Sequence, residues 1–532
     1  MGSVRRHLSL ACASLILFGC HKGTFNDRPS GGASAAVLTY PIESKVTTLD
    51  PGKVQDVDMG DVLQNVFEGL VTYDENNVLV GRLAERWDVE NGGKTYVFHL
   101  RDAKFQNGRA VTAEDFRWTW ERNLGKPLAS PVAPNYLDAI VGVKAFVAGA
   151  AKSVTGVEVV DAHTLKVTLD APRPYFLGNL AYPCASVICK DVAGPNEIHT
   201  LAETVGTGPF RFSRIAEDSQ LDLEAFEGYW GGKPKVARIS RPIVSDASTR
   251  LNGYKNGSYD ILTLTSADIA NVESDPKFKG QLKLEPRPAI AYFSVNQGAY
   301  APFRDERVRE AFAMTLDRNH IVNDLLTSKT VANGLVPPGV LGYQPDFKGL
   351  PYDPSKAREL LSAAGYPGGK GLPPLELTYR SGKPDSRLAC EAVATNWRKE
   401  LTAPVNPKTM EWPALLARRN KGQLQMTFGS WYADYLDPQN FLSLLLTSSS
   451  KMNNDSYNDK AFDALCARGD VDQNPTERID LYRQAERLAV EKAARLPLYF
   501  ERQPLLVSPR VRGLRKNLFG ILPHTTVEVS GS

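Results

Sequence analysis

Apolar positions along the chain follow two different periods. From Lys94 to Leu100 the run Lys-Thr-Tyr-Val-Phe-His-Leu alternates and predicts a strand, and Leu165, Val167 and Leu169 predict another. Between them the period changes. Thr112 is placed to cap a helix, Asp115 three residues on suits the positive end of its dipole, and Val111 can staple onto Phe116. Phe116 and Trp120 then share a face. After Pro302, Val308, Ala311, Phe312 and Leu316 form one apolar stripe, with Arg307, Glu310 and Asp317 opposite. Further helices are expected over 355–364, 387–401 and 476–494, and Gly/Pro clusters at 206–209, 337–339 and 367–374 punctuate the chain. Strands and helices do not alternate regularly enough for one doubly wound sheet. The pattern therefore predicts a mixed α/β protein of several domains.

Length agrees, since 532 residues exceed the ~250–300 at which single cores stop growing. The charge is nearly balanced, 63 basic against 60 acidic residues, which gives no electrostatic case for nucleic acid as a partner. The N-terminus reads as a targeting segment: Arg5 and Arg6, then an apolar run over 8–18 too short to span a bilayer. It ends in Leu17-Phe18-Gly19-Cys20, which resembles a bacterial lipobox with Cys20 as the lipidated first mature residue; an ordinary signal peptide cleaved nearby is the alternative. Residues 1–20 are then a lipoprotein signal peptide and 21–34 a flexible tether. No other segment reaches transmembrane length. Export permits disulfides, and Cys184 and Cys189 are close enough in sequence to bridge within one loop; the other reading is four buried thiols, with Cys390 and Cys466.

Enzymatic signatures are missing. None of the seven histidines has H-E-x-x-H spacing, and there is no G-x-S-x-G elbow. Gly93-Lys94-Thr95 mimics the end of a phosphate loop, but Asp88 occupies the place of the required glycine, so a hairpin turn is expected. No metal or cofactor is implied. The densest cluster is Gly429 to Pro438, which holds Trp431, Tyr432, Asp434, Tyr435 and Asp437. Such a run can build a partly apolar wall with an acidic spot for an ammonium group, because a cation removed from water needs a paired carboxylate and gains from adjacent rings. It can equally be a core edge with Asp434 as a cap.

A series of short motifs, in order, bears on that choice: Leu49-Asp50-Pro51, Asn65 to Leu70, Leu83-Ala84-Glu85-Arg86-Trp87, Tyr96 to Arg101, Phe105 to Phe116, Gly206 to Phe210, Tyr229-Trp230-Gly231-Gly232, Pro302-Phe303, Val308-Arg309, Asp317-Arg318 and Trp431 to Pro438. Over nearly all of the mature chain this resembles family 5 of the bacterial extracytoplasmic solute-binding proteins, which feed peptide and nickel ABC importers, and within it the oligopeptide binders. The resemblance implies a periplasmic-binding-protein type II-like fold: two α/β lobes joined by a hinge, plus an additional α/β domain. Lobe I would comprise 35–67, 191–288 and 502–532, the additional domain 68–190, and lobe II 289–501.

It also implies a non-enzymatic carrier in the periplasm. A short peptide would be held between the lobes by strand-like backbone hydrogen bonds and handed to ABC permease subunits in the inner membrane. The carrier would be a monomer, touching the membrane through its lipid alone. Asp434 matches the aspartate that pairs with the ligand's α-amino group. Trp431 and Trp412 match tryptophans lining side-chain pockets, and Arg419 an arginine that meets a carboxylate. Val57 lies on a loop whose backbone meets the peptide, Gln55 precedes it, and Tyr136 lies near the ligand-contacting part of the additional domain. The chain departs from the pattern at three places. Tyr432 replaces a cysteine, Phe428 an arginine, and a histidine upstream of Leu388 is absent, with Asp385 nearby. The ligand's carboxyl end is therefore expected to be recognised differently. Other solutes on the same fold (a murein peptide, a nickel complex, an opine or a sugar) and an exported peptide hydrolase are the competing readings.

Overall fold

The computed structural model describes residues 36–43 and 45–530; Cys20 and the tether lie outside the described residues. The hairpin expected at Gly93 forms. Strands Ala84–Glu90 and Thr95–Leu100 pair antiparallel through a turn in which Asn91, Gly92 and Gly93 all take positive φ (51°, 63° and 87°), a region asparagine and glycine tolerate best. Thr164–Thr168 and Val157–Asp161 complete a four-stranded antiparallel sheet. Helix Ala113–Leu124 packs on it. Its start is closed as expected: Asp115 Oδ2 accepts from the backbone N–H and the hydroxyl of Thr112, both at 2.9 Å. Phe116 and Trp120 meet edge-on in the core at 6.2 Å.

A second sheet runs in the order Val37–Thr39, Arg238–Pro242, Gln220–Ala225, Phe210–Ala216, its first pair parallel. The Gly206–Pro209 cluster does more than turn the chain. A Cβ on Gly206 would stand 1.9 Å from the Val66 carbonyl oxygen, and the Gly208 N–H donates to that same oxygen at 2.8 Å. Only glycine allows two backbones to approach so closely.

The third sheet has seven strands. Six lie in the order Ile261–Thr263, Arg495–Val507, Leu282–Val295, Met426–Tyr432, Leu375–Arg380, Val405–Met410, and Thr330–Val331 pairs alongside Arg495–Val507. Leu282–Val295 and Arg495–Val507 are by far the longest, at 14 and 13 residues. Their register breaks midway: Pro286 faces Arg502, but Ile290 faces Phe500, so four steps on one strand meet two on the other. Pro286, Pro288, Pro497 and Pro504 remove donors along this pair. On one side of the break the pair joins Ile261–Thr263 and a core of Leu251, Tyr254, Ile269 and Val272. On the other it joins Met426–Tyr432 and a core of Phe293, Phe312 and Trp397. The architecture is thus two α/β lobes spanned by one irregular strand pair, with the Ala84–Thr168 sheet as an additional α/β domain.

Helix ends differ locally from expectation. Glu306–Met314 stops before Leu316. Pro384–Leu401 begins three residues early, with Pro384 in its first turn, where its missing N–H costs nothing. Pro475–Glu491 stops three residues early, just before Ala493 at φ 48°. No helix among the described residues is long and apolar enough to cross a membrane.

The Cys184–Cys189 bridge is not formed, and both thiols are free and buried. The residues between them are pinned to different neighbours. Val187 N–H donates to Glu68 O at 2.9 Å, and Ile188 N–H to Thr119 Oγ1 at 3.1 Å. The two sulfurs are thereby held in separate surroundings: Asp434 bears on Cys184, whereas Cys189 accepts from Asn107 at 3.5 Å.

Candidate functional site

Strand Met426–Tyr432 begins inside the sheet and emerges toward solvent at Gly429 and Ser430. The run after it is tied down at both ends. Ala433 N–H donates to the Pro288 carbonyl at 2.8 Å. Asp437 caps the short turn Pro438–Asn440 and forms a buried two-pronged pair with Arg478, at 2.8 and 2.7 Å. Tyr435 stacks on Tyr175 at 5.9 Å, and Leu436 N–H donates to the Tyr73 hydroxyl at 3.2 Å. Both contacts anchor the run on remote parts of the chain.

Asp434 stands at the centre. Its backbone N–H and the Trp431 indole N–H share Asn440 Oδ1 as acceptor, at 3.2 and 2.9 Å, while Asn440 Nδ2 donates to Asp434 Oδ2 at 3.4 Å. No cation lies within ion-pair distance of the carboxylate among the described residues. Burial pushes its pKa up to about 6, against the pull of Asn440 and Tyr136, which favour the ionised form. Tyr136 is buried and stacks on Tyr182 with ring centres 4.0 Å apart. The Tyr182 hydroxyl donates to the Val54 carbonyl at 3.2 Å. Three remote segments therefore converge here: the 431–440 run, the stacked pair Tyr136 and Tyr182, and the loop leading to Val57.

This constellation can be set against known proteins. Residues 78–453 match the model of the bacterial extracellular solute-binding proteins, family 5. The chain belongs to that family. It is 32% identical to the probable deoxycholate-binding periplasmic protein YgiS of Escherichia coli, over 90% of this chain and 91% of that one. It is 31% identical to the periplasmic oligopeptide-binding protein OppA of Salmonella typhimurium, over 95% of each. Among solved structures, the murein tripeptide binding protein MppA of Escherichia coli superposes with a TM-score of 0.81 at 28% identity, over 94% of this chain and 99% of that one.

In this family 5 protein the remaining candidates sit as follows. Val57, 54% exposed, is not in a loop but opens helix Val57–Leu63, capped by Asp56, and Gln55 is exposed just before it. Trp412 opens helix Trp412–Asn420 and lies under the Arg380 guanidinium at 4.9 Å. Arg419, seven residues on and thus on the same face, is half-buried with a partnerless Nε. No contact joins Trp412 or Arg419 to Asp434; their helix follows a strand two places from Met426–Tyr432 in the sheet. Tyr432 is 42% exposed. Desolvation raises its pKa, with Glu501 adding to the rise and Arg287 opposing it.

The departures are explained by the structure. Phe428 is core, packed on Phe293 at 4.7 Å. Asp385 belongs to a cluster the sequence did not reveal. Lys329 Nζ lies 2.9 Å from Glu501 and 3.5 Å from Asp385, Ser430 donates to Glu501 at 2.9 Å, and Ser266 to Asp385 at 2.6 Å. Asn440, Tyr182 and Arg287 were likewise missed. Asn440 had a local signal in its position just after a Pro-containing cap; the others had none.

Proposed function

We propose that this family 5 protein captures short peptides between its lobes, pairing the ligand's α-ammonium with Asp434. The observation that carries the reading is an uncompensated carboxylate where three segments meet, with a pKa of about 6. An ammonium placed there completes a charge-assisted hydrogen bond, worth ~1.5–3 kcal/mol net. The emerging end of Met426–Tyr432 offers backbone groups for strand addition, which recognises a peptide whatever its sequence. In this reading the register break at Pro286–Ile290 is the hinge, the lobes divide near 288/289 and 501/502, and the additional domain is 68–190. Export by residues 1–20, lipidation at Cys20, a 21–34 tether and delivery to an ABC permease complete the proposal, with Trp431, Trp412, Arg419, Tyr432, Val57, Gln55 and Tyr136 lining the cleft. Deoxycholate, for which one relative is named, would bring no ammonium to Asp434.

Calorimetry with trialanine and N-acetyl-trialanine tests this. Trialanine binds, the acetylated form does not, and Asp434→Ala loses more than tenfold in affinity while its circular dichroism is unchanged. Equal affinity for both peptides, or an indifferent Asp434→Ala, overturns it. Mass spectrometry of what denaturation releases identifies the natural ligand, and cleaved library peptides would mark a hydrolase instead.

A further inference from the structure

A cavity of about 120 Å³ lies beside the register break, on the Ile261–Thr263 side, lined by Tyr40, Val57, Thr263, Arg287, Gln503 and Gly520 among others. Three arginines reach it. Arg241 is paired with Asp61 at 2.8 Å and donates to Tyr40 O at 3.0 Å. Arg250 is paired with Glu43 at 3.3 Å and donates to the carbonyls of Val244 and Ser245. Arg287 differs. It is 7% exposed, its guanidinium makes one long hydrogen bond, to Gln503 Oε1 at 3.4 Å, and no carboxylate stands within ion-pair distance among the described residues. Gly520 leaves room for it, since a Cβ there would come within 2.9 Å of Nη1. The third carboxylate of the lining, Asp58, bears on Arg241, while Asp61 and Glu501 bear on Arg287 only from beyond ion-pair distance.

A cation buried without a partner is costly unless something supplies the opposite charge. We propose that this cavity is an anion subsite, in which the Arg287 guanidinium receives a carboxylate carried by the captured ligand. The idea rests on the reading of Asp434 as the amine site. The space admits a carboxylate on a one- or two-carbon arm. Arginine's planar fork matches that group in a two-pronged fit. Two residues link the cavity to the region of the amine site. Val57 lines it, and Tyr432, two residues from Asp434, bears electrostatically on Arg287. Burial already holds the guanidinium below its ordinary pKa.

Three matched peptide pairs test the proposal on the full protein: Ala-Glu-Ala with Ala-Gln-Ala, Ala-Ala-Glu with Ala-Ala-Gln, and trialanine with its C-terminal amide. At least one acid should bind tenfold tighter than its amide, and the gap should vanish in Arg287→Gln. Separately, sodium glutarate at constant ionic strength should raise the wild-type melting temperature but not that of Arg287→Gln. If peptides bind but every pair is matched in affinity, the ligand-carboxylate subsite is overturned while the amine site stands; Arg287-dependent stabilisation by glutarate would then mark a site for free anions. If no peptide binds, the amine reading fails, and the glutarate result alone keeps or removes the anion site. Should Arg287→Gln not fold, the wild-type pairs decide.

Discussion

The side-chain amide of Asn440 reaches back to Asp434 and divides its two ends, donating to the carboxylate at 3.4 Å and accepting from the Asp434 backbone N–H at 3.2 Å. Because the same oxygen takes the Trp431 indole N–H, one fully buried amide sets both the aromatic wall and the acidic spot. Asn440→Ala should leave the indole N–H unpaired and Asp434 unguided. Trialanine affinity should fall about tenfold, equivalent to ~1.4 kcal/mol, with a lower melting temperature. Calorimetry showing full affinity would mean that Asp434 orients itself.

The elevated pKa of Asp434 predicts two opposite pH effects. A bound ammonium favours the carboxylate, so the bound state has the lower pKa; affinity is full above about pH 6 and weakens as pH falls through it, up to roughly tenfold per unit. In the empty protein the folded pKa lies above the unfolded value of ~3.9, so stability is full below that value and is lost as pH rises toward 6. Asp434→Asn should therefore melt higher than wild type at pH 7.5, melt alike at pH 3.5, and bind trialanine weakly without pH dependence. Parallel melting curves at both pH values would contradict this.

Arg478 and Asp437 form the buried pair beneath the site, 4% and 6% exposed. Removing one partner strands the other charge. Arg478→Met should destabilise by ~3–5 kcal/mol in urea denaturation, and adding Asp437→Asn should recover part of it. A double variant no more stable than the single one would show that the stranded charge is not the source of the loss.

What the sequence revealed follows from range. The hairpin at Gly93, the capping box of Thr112 and Asp115, and the Phe116–Trp120 face depend on residues within a turn or two of each other, and each forms. The helix after Asn474 was read three residues too long because its apolar period continues through Ala493, whose left-handed backbone ends it. Phe428 stands where the family pattern has an arginine, and its place in the core was not legible, since its direction depends on which neighbours the strand meets. Asp434 was legible only as one of two readings, and the choice depends on Tyr136 and Tyr182, which arrive from some 250–300 residues away in the sequence. Arg287 had no local mark, because what distinguishes it is the missing partner.

Lys329 shows the same long-range dependence, since it meets Glu501 across 172 residues. Burial opposes its charge, but Glu501 and Asp385 outweigh that and raise its pKa. For a lysine this stabilisation is fully present below the unfolded value of ~10.4 and is lost only above it, so from pH 4 to 8 the lysine's own titration contributes no slope. Lys329→Met leaves two carboxylates facing one another with only Ser266 and Ser430 as donors. The variant should lose on the order of 3 kcal/mol, read by urea denaturation at pH 7, and adding Asp385→Asn and Glu501→Gln should recover part of it. No recovery would mean that Lys329 contributes packing rather than charge.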